Sequence, residues 1–251
     1  MPENLIRNAI KYLIRERQAV RPRKIGEPAV QSDSSQKAYM GIRRMLYHKE
    51  LIPGQHIAYR ELAERLELSP TPIIQALKWL EIQGFVRHEP NRGYSVAPSS
   101  MEEVEEIYEL RQLLEPSLVA TTIERLDGEG EASLKQALDA HLSAVREAYL
   151  KERLFKNTEF HLVLAALSGK ETQVRILRNI FDLLFLKYGG NYLPLSSLEA
   201  VDREHQEIFD LVLARDLRGA KRVLSEHIQN VKKQVLGSLR QIMKEEERLG
   251  F

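Results

Sequence analysis

Cysteine is absent from the 251-residue sequence. Its absence excludes disulfide bonds and thiolate metal ligands, and it fits a protein of the reducing cytoplasm. No run of about 18 apolar residues occurs, so we expect no transmembrane helix. The first residues, MPENLIRNAIKYLIRERQ, carry scattered charges and no cleavage site of small residues, which argues against a secretory signal. We therefore expect a cytoplasmic protein with no membrane partner.

The net charge is only +1, but the charges are distributed unevenly along the chain. Residues 1–98 contain 16 Lys and Arg against 10 Asp and Glu, whereas residues 99–251 contain 21 against 26. The basic N-terminal part is a candidate for binding a nucleic-acid backbone. Chance variation along a chain explains such an asymmetry equally well, so the motifs have to decide.

The N-terminal part of the sequence has the pattern of a winged helix-turn-helix. Residues 3–17 have helical apolar spacing, and a basic linker with two prolines follows to residue 35. Apolar periodicity and Pro-Gly breaks then predict three helices, at Gln36 to Lys49, Tyr59 to Leu66 and Thr71 to Gln83. Short alternating runs predict the two strands of a hairpin, at Phe85 to Glu89 and Gly93 to Ala97. This order of elements is that of a winged helix-turn-helix domain over residues 36–98.

Everything after Pro98 has a helical pattern. The breaks between apolar stretches predict six helices, at 100–126, 130–150, 151–168, 170–188, 196–214 and 217–247. Short connections favour antiparallel neighbours. We therefore expect a mainly α protein with an N-terminal helix and basic linker at 1–35, the winged helix-turn-helix at 36–98, and an antiparallel bundle of about six helices at 99–251.

The third predicted helix has an outward polar face that fits a DNA major groove, formed by Thr71, Ile74, Gln75 and Lys78. Gln can form two bonds to adenine, Thr can contact phosphate or a thymine methyl group, and Lys can neutralise phosphate. Ser69 is predicted at the N-cap, Arg60 is placed to reach phosphate, and Arg92 and Gly93 form the wing tip. The helix patterns alone are equally compatible with an amphipathic hairpin that has a solvated polar face.

The segment YRELAERLELSPTPIIQALKWLEIQGFVRHEPNRGYSV resembles the DNA-reading head of the GntR family, in its FadR-type branch. The matching motifs are Arg-Glu-Leu-Ala, Ser-x-Thr-Pro, Ala-Leu-x-x-Leu-Glu and Asn-Arg-Gly. The segment EIYELRQLLEPSLVA resembles the first helix of that branch's ligand-sensing domain. The resemblance covers nearly the whole chain except residues 1–35. It implies a homodimeric transcriptional regulator, expected to be a repressor, that binds a double-stranded DNA operator and uses residues 99–251 for ligand sensing and dimerisation.

The sequence departs from the family pattern at Pro70, Ile74 and Gln75. The family usually has Arg after the turn Ser and an Arg-Glu pair inside the recognition helix. We therefore expect an operator that differs from the branch's usual one, with Ile74 contacting a thymine methyl group. The expected DNA contacts are Arg60, Ser69, Thr71, Ile74, Gln75, Lys78, Arg92 and Gly93.

Three of the seven histidines have a spacing that brings them together in the predicted bundle. Asn157 precedes His161 by one helical turn, and His205 and His227 lie about ten residues on either side of a turn near Arg215. Any one of these histidines alone is more typical of an ordinary core or surface position. The resemblance implies a divalent-metal site of Asp-x-x-x-His plus two further His, with the Asp replaced here by Asn157.

The exchange of Asp for Asn removes a negative charge from this expected site. We therefore expect weaker metal binding, by Zn, Ni or Mn, and a stronger attraction for a small carboxylate effector. No organic cofactor is expected. Arg111 is a candidate anchor for the carboxylate, and a surface salt bridge with Glu115 is an equally good interpretation.

A metal-dependent hydrolase is the alternative function that a histidine cluster permits. Such an enzyme needs a general base in the same pocket. Glu204 and Glu226 adjoin histidines, but they point about 100° away around their helices. With no catalytic motif in the sequence, we expect that the protein is not an enzyme.

Overall fold

The computed structural model describes residues 33–144, 150–188 and 198–249. The helix predicted at 3–17 and most of the basic linker lie outside the described residues. The chain divides into two compact units, one ending at Ser99 and the other beginning at Ser100. Among the described residues, no helix combines the length and the apolar character that a membrane span needs.

The described part of the N-terminal unit, from residue 33 on, contains three helices and a three-stranded sheet, namely α1 (Asp33–Tyr47), β1 (His56–Ile57), α2 (Tyr59–Arg65), α3 (Pro70–Ile82), β2 (Val86–Glu89) and β3 (Gly93–Val96). Helix α3 forms because its apolar residues recur every three or four positions and pack inward. The fully buried members of this stripe are Ile73, Ala76, Leu77 and Leu80. The stripe fixes which face of α3 remains outside.

The sheet has the strand order β1-β3-β2, and both pairings are antiparallel. Asn91 has φ 63° and Gly93 has φ 83° in the turn between β2 and β3, a conformation that Asn and Gly tolerate better than other residues. The predicted hairpin is therefore present. Strand β1 was not predicted, because two residues are too short to show an alternating pattern.

Six α-helices form a bundle in the described part of the C-terminal unit, α4 (Met101–Arg125), α5 (Gly128–Leu142), α6 (Leu150–Ala166), α7 (Glu171–Asp182), α8 (Leu198–Leu213) and α9 (Leu217–Leu249). Ser100 and Asp127 cap α4 and α5 by accepting bonds from backbone N–H groups three residues on. Helix α9 packs against α4 and α8, and α5 packs against α6. The predicted fold class is confirmed, namely a mainly α chain with an N-terminal winged helix-turn-helix and a helical C-terminal domain.

Two local differences from the predicted elements have physical causes. Helix α1 begins at Asp33, so the last residues assigned to the linker are helical; Ser35 contacts Gln75 of α3, and this contact fixes the first turn. The helix predicted at 170–188 changes at Leu183 into a π-helical turn that ends at Tyr188. Such turns occur most often at functional sites.

Candidate metal centre and nucleic-acid interface

Three buried histidines converge in the bundle from three different helices. His161 lies on α6, His205 on α8 and His227 on α9, and each is at most 1% exposed. One ring nitrogen from each lies within 4.8 Å of the others. The structure thus brings together the three histidines that the spacing predicted. The wider ligand set, including Asn157, stays a prediction.

The hairpin of α8 and α9 places His205 and His227 at the same height. Arg215, at φ 57°, lies in the turn, and Asp216 caps α9 by accepting a bond from the N–H of Gly219 at 3.0 Å. The two imidazole ring centres are 4.5 Å apart. Equal rise on the two arms of an antiparallel hairpin therefore brings side chains 22 positions apart into contact.

Each of the three rings has an oxygen acceptor next to its Nδ1 atom. The Nδ1 atom of His161 is 2.7 Å from Glu115 Oε2, that of His205 is 2.7 Å from the Val201 carbonyl, and that of His227 is 2.7 Å from Glu204 Oε2. The Nε2 atom of each ring has no hydrogen-bond partner in the described part of the chain. An Nδ1–H group that faces an oxygen leaves the lone pair on Nε2, which is how metal-binding histidines are oriented.

Burial keeps two of these imidazoles, those of His161 and His205, uncharged at neutral pH. It lowers the pKa of His161 to about 4, against the opposing effect of Glu115, and lowers the pKa of His205 well below 6.5. Burial alone would raise the pKa of Glu115, but the charges of Arg111 and His161 outweigh it and bring the pKa to about 2. Neutral imidazoles beside an ionised carboxylate are the state that binds a divalent cation.

Arg111 is buried beside the cluster, so the surface interpretation of its salt bridge is wrong. Its side chain is 2% exposed, its Nε atom is 2.6 Å from Glu115 Oε1, and its guanidinium lies 4.5 Å from the ring centre of Phe181. The Nη2 atom is buried and has no hydrogen-bond partner among the described residues. It is therefore a donor in place for a carboxylate, as a binding role requires.

Asn157 and Glu204 differ in what the structure shows for them. Asn157 is half-buried on α6, one turn before His161. Glu204 pairs with His227 and with the side-chain amide of Asn230 at 2.8 Å, although it is next to His205 in sequence. It orients a histidine and is not free to act as the general base of a hydrolase.

A fourth buried histidine, His141, was missed by the sequence reasoning. It is 1% exposed, and its ring centre is 4.3 Å from that of His205. Burial lowers its pKa to about 3. The available signal was its place on the apolar stripe of α5, one turn after Ala137 and Leu138, where a polar residue is unexpected.

The predicted DNA-reading residues lie on the open face of the N-terminal unit. Ile74 and Gly93 are half-buried. The other six are exposed, namely Arg60, Ser69, Thr71, Gln75, Lys78 and Arg92. Ser69 occupies the N-cap of α3, but its hydroxyl makes no capping bond. The hydroxyl of Ser69 and the backbone N–H of Thr71 are therefore available to a phosphate oxygen, whereas Pro70 and Pro72 have no N–H to donate.

The amide oxygen of Gln75 already accepts a hydrogen bond from the hydroxyl of Ser35. A two-bond contact to adenine needs both this oxygen and the amide nitrogen. The side-chain amide nitrogen of Gln75 can therefore donate to adenine as it stands. The amide oxygen has to accept the second bond, from adenine, with the lone pair that the Ser35 hydroxyl does not use.

Comparisons with known proteins cover both units of the chain. A family model described as "Bacterial regulatory proteins, gntR family" matches residues 34–96, and one described as "FCD domain" matches residues 106–230. The chain is 26% identical over 193 residues to the "Uncharacterized HTH-type transcriptional regulator YdhC" of Bacillus subtilis, covering 76% of this chain and 86% of that protein.

Two Escherichia coli proteins are also similar to this chain. The "HTH-type transcriptional repressor GlaR" is 26% identical over 205 residues, which cover 78% of this chain and 92% of that protein. The solved structure of "E. coli McbR/YncC" aligns with a TM-score of 0.70 at 20% identity, covering 84% of this chain and 99% of that one. The structural match shows a shared fold.

Proposed function

The chain belongs to the GntR family of bacterial regulatory proteins and carries an FCD domain, and from this premise we propose that it is a repressor controlled by a small organic acid. As a family member it is a transcriptional regulator with a DNA-binding helix-turn-helix. The proposed sensor is the buried site of His161, His205 and His227. The observation that carries the proposal is that all three Nε2 atoms are buried without a hydrogen-bond partner in the described chain.

The residues present fit a divalent metal ion. Three imidazoles, each with an oxygen 2.7 Å from its Nδ1 atom, form the nitrogen-rich donor set that suits zinc or nickel better than magnesium, and manganese is the third candidate. A buried polar nitrogen without a partner costs roughly 1–3 kcal/mol, which a bound cation would offset. A bound cation would supply an electrophilic centre that accepts a carboxylate oxygen.

The surroundings of the proposed metal favour an anionic effector. Asn157 carries no charge where the family pattern has Asp, so the cation keeps more of its positive charge. Arg111 offers its unpartnered Nη2 atom to the same anion. Rings pack around the site, with Phe160 centred 5.0 Å from His205 and Phe181 centred 5.6 Å from His161, and apolar walls strengthen electrostatic attraction.

The proposed operator complex is a homodimer on double-stranded DNA. One head covers about half of a typical site, and helix-turn-helix proteins usually bind two half-sites symmetrically. The eight predicted contact residues lie on α2, on α3, in the turn between these two helices and in the wing. Repression is proposed because the related GlaR is named a repressor.

The direct test uses the protein's own upstream DNA. We expect the zinc-loaded protein to retard this DNA in a gel, and a panel of small carboxylic acids to contain one that releases it. Release with the acid recovered unchanged supports the proposal. Turnover of the acid would instead support a metal-dependent hydrolase, and retardation that no acid relieves would remove the sensor function.

The DNA contacts can be tested by their salt dependence. Arg60→Ala and Arg92→Ala should weaken binding to every sequence, and each should reduce the slope of log K against log salt by about 0.9 if one phosphate contact is lost. Arg65→Ala is the matched control, because it removes the same charge from α2 but breaks a pair with Glu50. Gln75→Ala should leave the slope unchanged and relax the preference at one base position.

Two results would contradict this placement of the DNA contacts. If Arg65→Ala reduces the salt slope as much as Arg92→Ala does, the effect is one of overall charge. If Gln75→Ala leaves the selected DNA motif unchanged, α3 does not read the bases as proposed.

A further inference from the structure

His141 places a fourth imidazole beside the three-histidine cluster. Its side chain is 1% exposed, and neither of its ring nitrogens has a hydrogen-bond partner among the described residues. Leaving such a group unsatisfied lowers the stability of the folded state, and buried polar groups in native proteins are satisfied as a rule. The apolar stripe of α5 would accept leucine or methionine at this position without that cost.

An oxygen acceptor also lies near His141, but it faces the other ring nitrogen. The Nε2 atom of His141 is 3.4 Å from Asp202 Oδ1 without forming a hydrogen bond, and Asp202 is held in place by Arg153. In the other three rings the acceptor is 2.7 Å from Nδ1, so Nδ1 is the nitrogen that His141 has left for a metal. Metal-binding histidines are typically oriented in this way by an acceptor on the second nitrogen.

We propose that His141 is the fourth protein ligand of the metal and that it replaces the carboxylate lost at Asn157. This inference rests on the metal site proposed above. The ring centre of His141 is 4.3 Å from that of His205. The ring nitrogens that lie within 4.8 Å of one another belong to the other three histidines, so His141 is next to this group but not part of it. Binding therefore requires the His141 side chain to turn toward that group when the metal enters.

The comparison of His141 with Asn157 favours the histidine. Asn157 is half-buried, and its amide oxygen is a weak, uncharged donor. An imidazole is a better ligand for zinc, and with four protein ligands in place the carboxylate oxygen of the effector would bind as a fifth ligand, a coordination number that zinc can adopt. A site of four imidazoles also selects zinc or nickel over manganese, which prefers oxygen donors.

The test counts the imidazoles around zinc in the full-length protein by X-ray absorption spectroscopy. We expect four imidazoles in the wild type and three in His141→Leu, and a zinc affinity at least about 10-fold lower in His141→Leu by chelator competition. Asn157→Ala is the matched control, for which we expect four imidazoles and an affinity within about threefold of the wild type. His141→Gln serves as a second variant of similar polarity, and circular dichroism of each zinc-free variant checks the fold.

Two outcomes would overturn the role of His141, and a third would overturn the metal site itself. Three imidazoles in the wild-type protein, with no change in His141→Leu, would overturn the role of His141 and leave the three-histidine site intact. A large loss of affinity in Asn157→Ala with none in His141→Leu would overturn it as well. If the wild type binds no zinc, nickel or manganese, the proposed metal site itself fails, and this inference fails with it.

Discussion

Replacement of Arg111 by methionine is expected to reduce the free energy of unfolding of the C-terminal unit by about 3–5 kcal/mol. Arg111 and Glu115 are 2% and 3% exposed, and their side chains are 2.6 Å apart. Methionine keeps an unbranched apolar stem but leaves the carboxylate of Glu115 buried beside neutral His161. An uncompensated buried charge is far more costly than the loss of the contact itself.

The chain contains a matched control for this prediction. Arg222 and Glu226 form the same i,i+4 pair in the same orientation on α9, at 2.8 Å, but their side chains are 58% and 55% exposed. Arg222→Met should therefore cost no more than about 0.5 kcal/mol. Replacing Glu115 by leucine in the Arg111→Met chain should recover part of the loss, because it removes the unpaired carboxylate.

The measurement has to report on the correct unit. The single tryptophan, Trp79, lies on α3 in the N-terminal unit, so its fluorescence follows the DNA-reading head. Amide hydrogen exchange along α4 follows the helical bundle instead. Equal losses for Arg111→Met and Arg222→Met would mean that burial does not set the cost of breaking this pair.

Replacement of His205 by alanine should lower the affinity for zinc by more than about 100-fold, which exceeds the effect of altering an outer partner of a metal ligand. The ring centre of His205 is 4.3 Å from that of His141 and 4.5 Å from that of His227. Its removal takes away one of the three clustered donors of the proposed site. Isothermal titration calorimetry of metal-free protein with zinc measures the change.

Thermal unfolding gives a second measure of the same loss. A ligand that binds only the folded state stabilises it by about 2.7 kcal/mol at 100 times its Kd, so zinc should raise the melting temperature of the wild type. It should leave that of His205→Ala nearly unchanged. His48→Ala is the control, because His48 is an exposed histidine of the N-terminal unit and should keep the full zinc effect. A full zinc effect in His205→Ala would place the metal elsewhere.

Several features of this protein could be predicted from the sequence because they depend on local patterns. The apolar stripe of α3, the Pro and Gly residues around it and the Asn-Arg-Gly turn are sufficient to predict the helix-turn-helix and the wing. Six apolar stretches separated by short breaks predict six helices, and six are present in the described C-terminal unit. The shared height of His205 and His227 follows from counting residues across one turn.

Other features depend on contacts between residues far apart in the sequence. The spacing of Arg111 and Glu115 predicts that they pair, but only the packing of α6 and α7 against α4 determines that the pair is buried beside His161. Glu204 adjoins His205 in sequence, yet it contacts His227 because adjacent residues of a helix point about 100° apart.

His141 illustrates this limit most clearly. It lies 20 positions before His161 and 64 before His205, and no helical spacing relates these separations. The sequence by itself determined the helices, the order of the elements and the DNA-reading face, because these follow from periodicity within single segments. Only the tertiary structure decided which polar groups are buried together and left without partners, because burial depends on how separate helices pack.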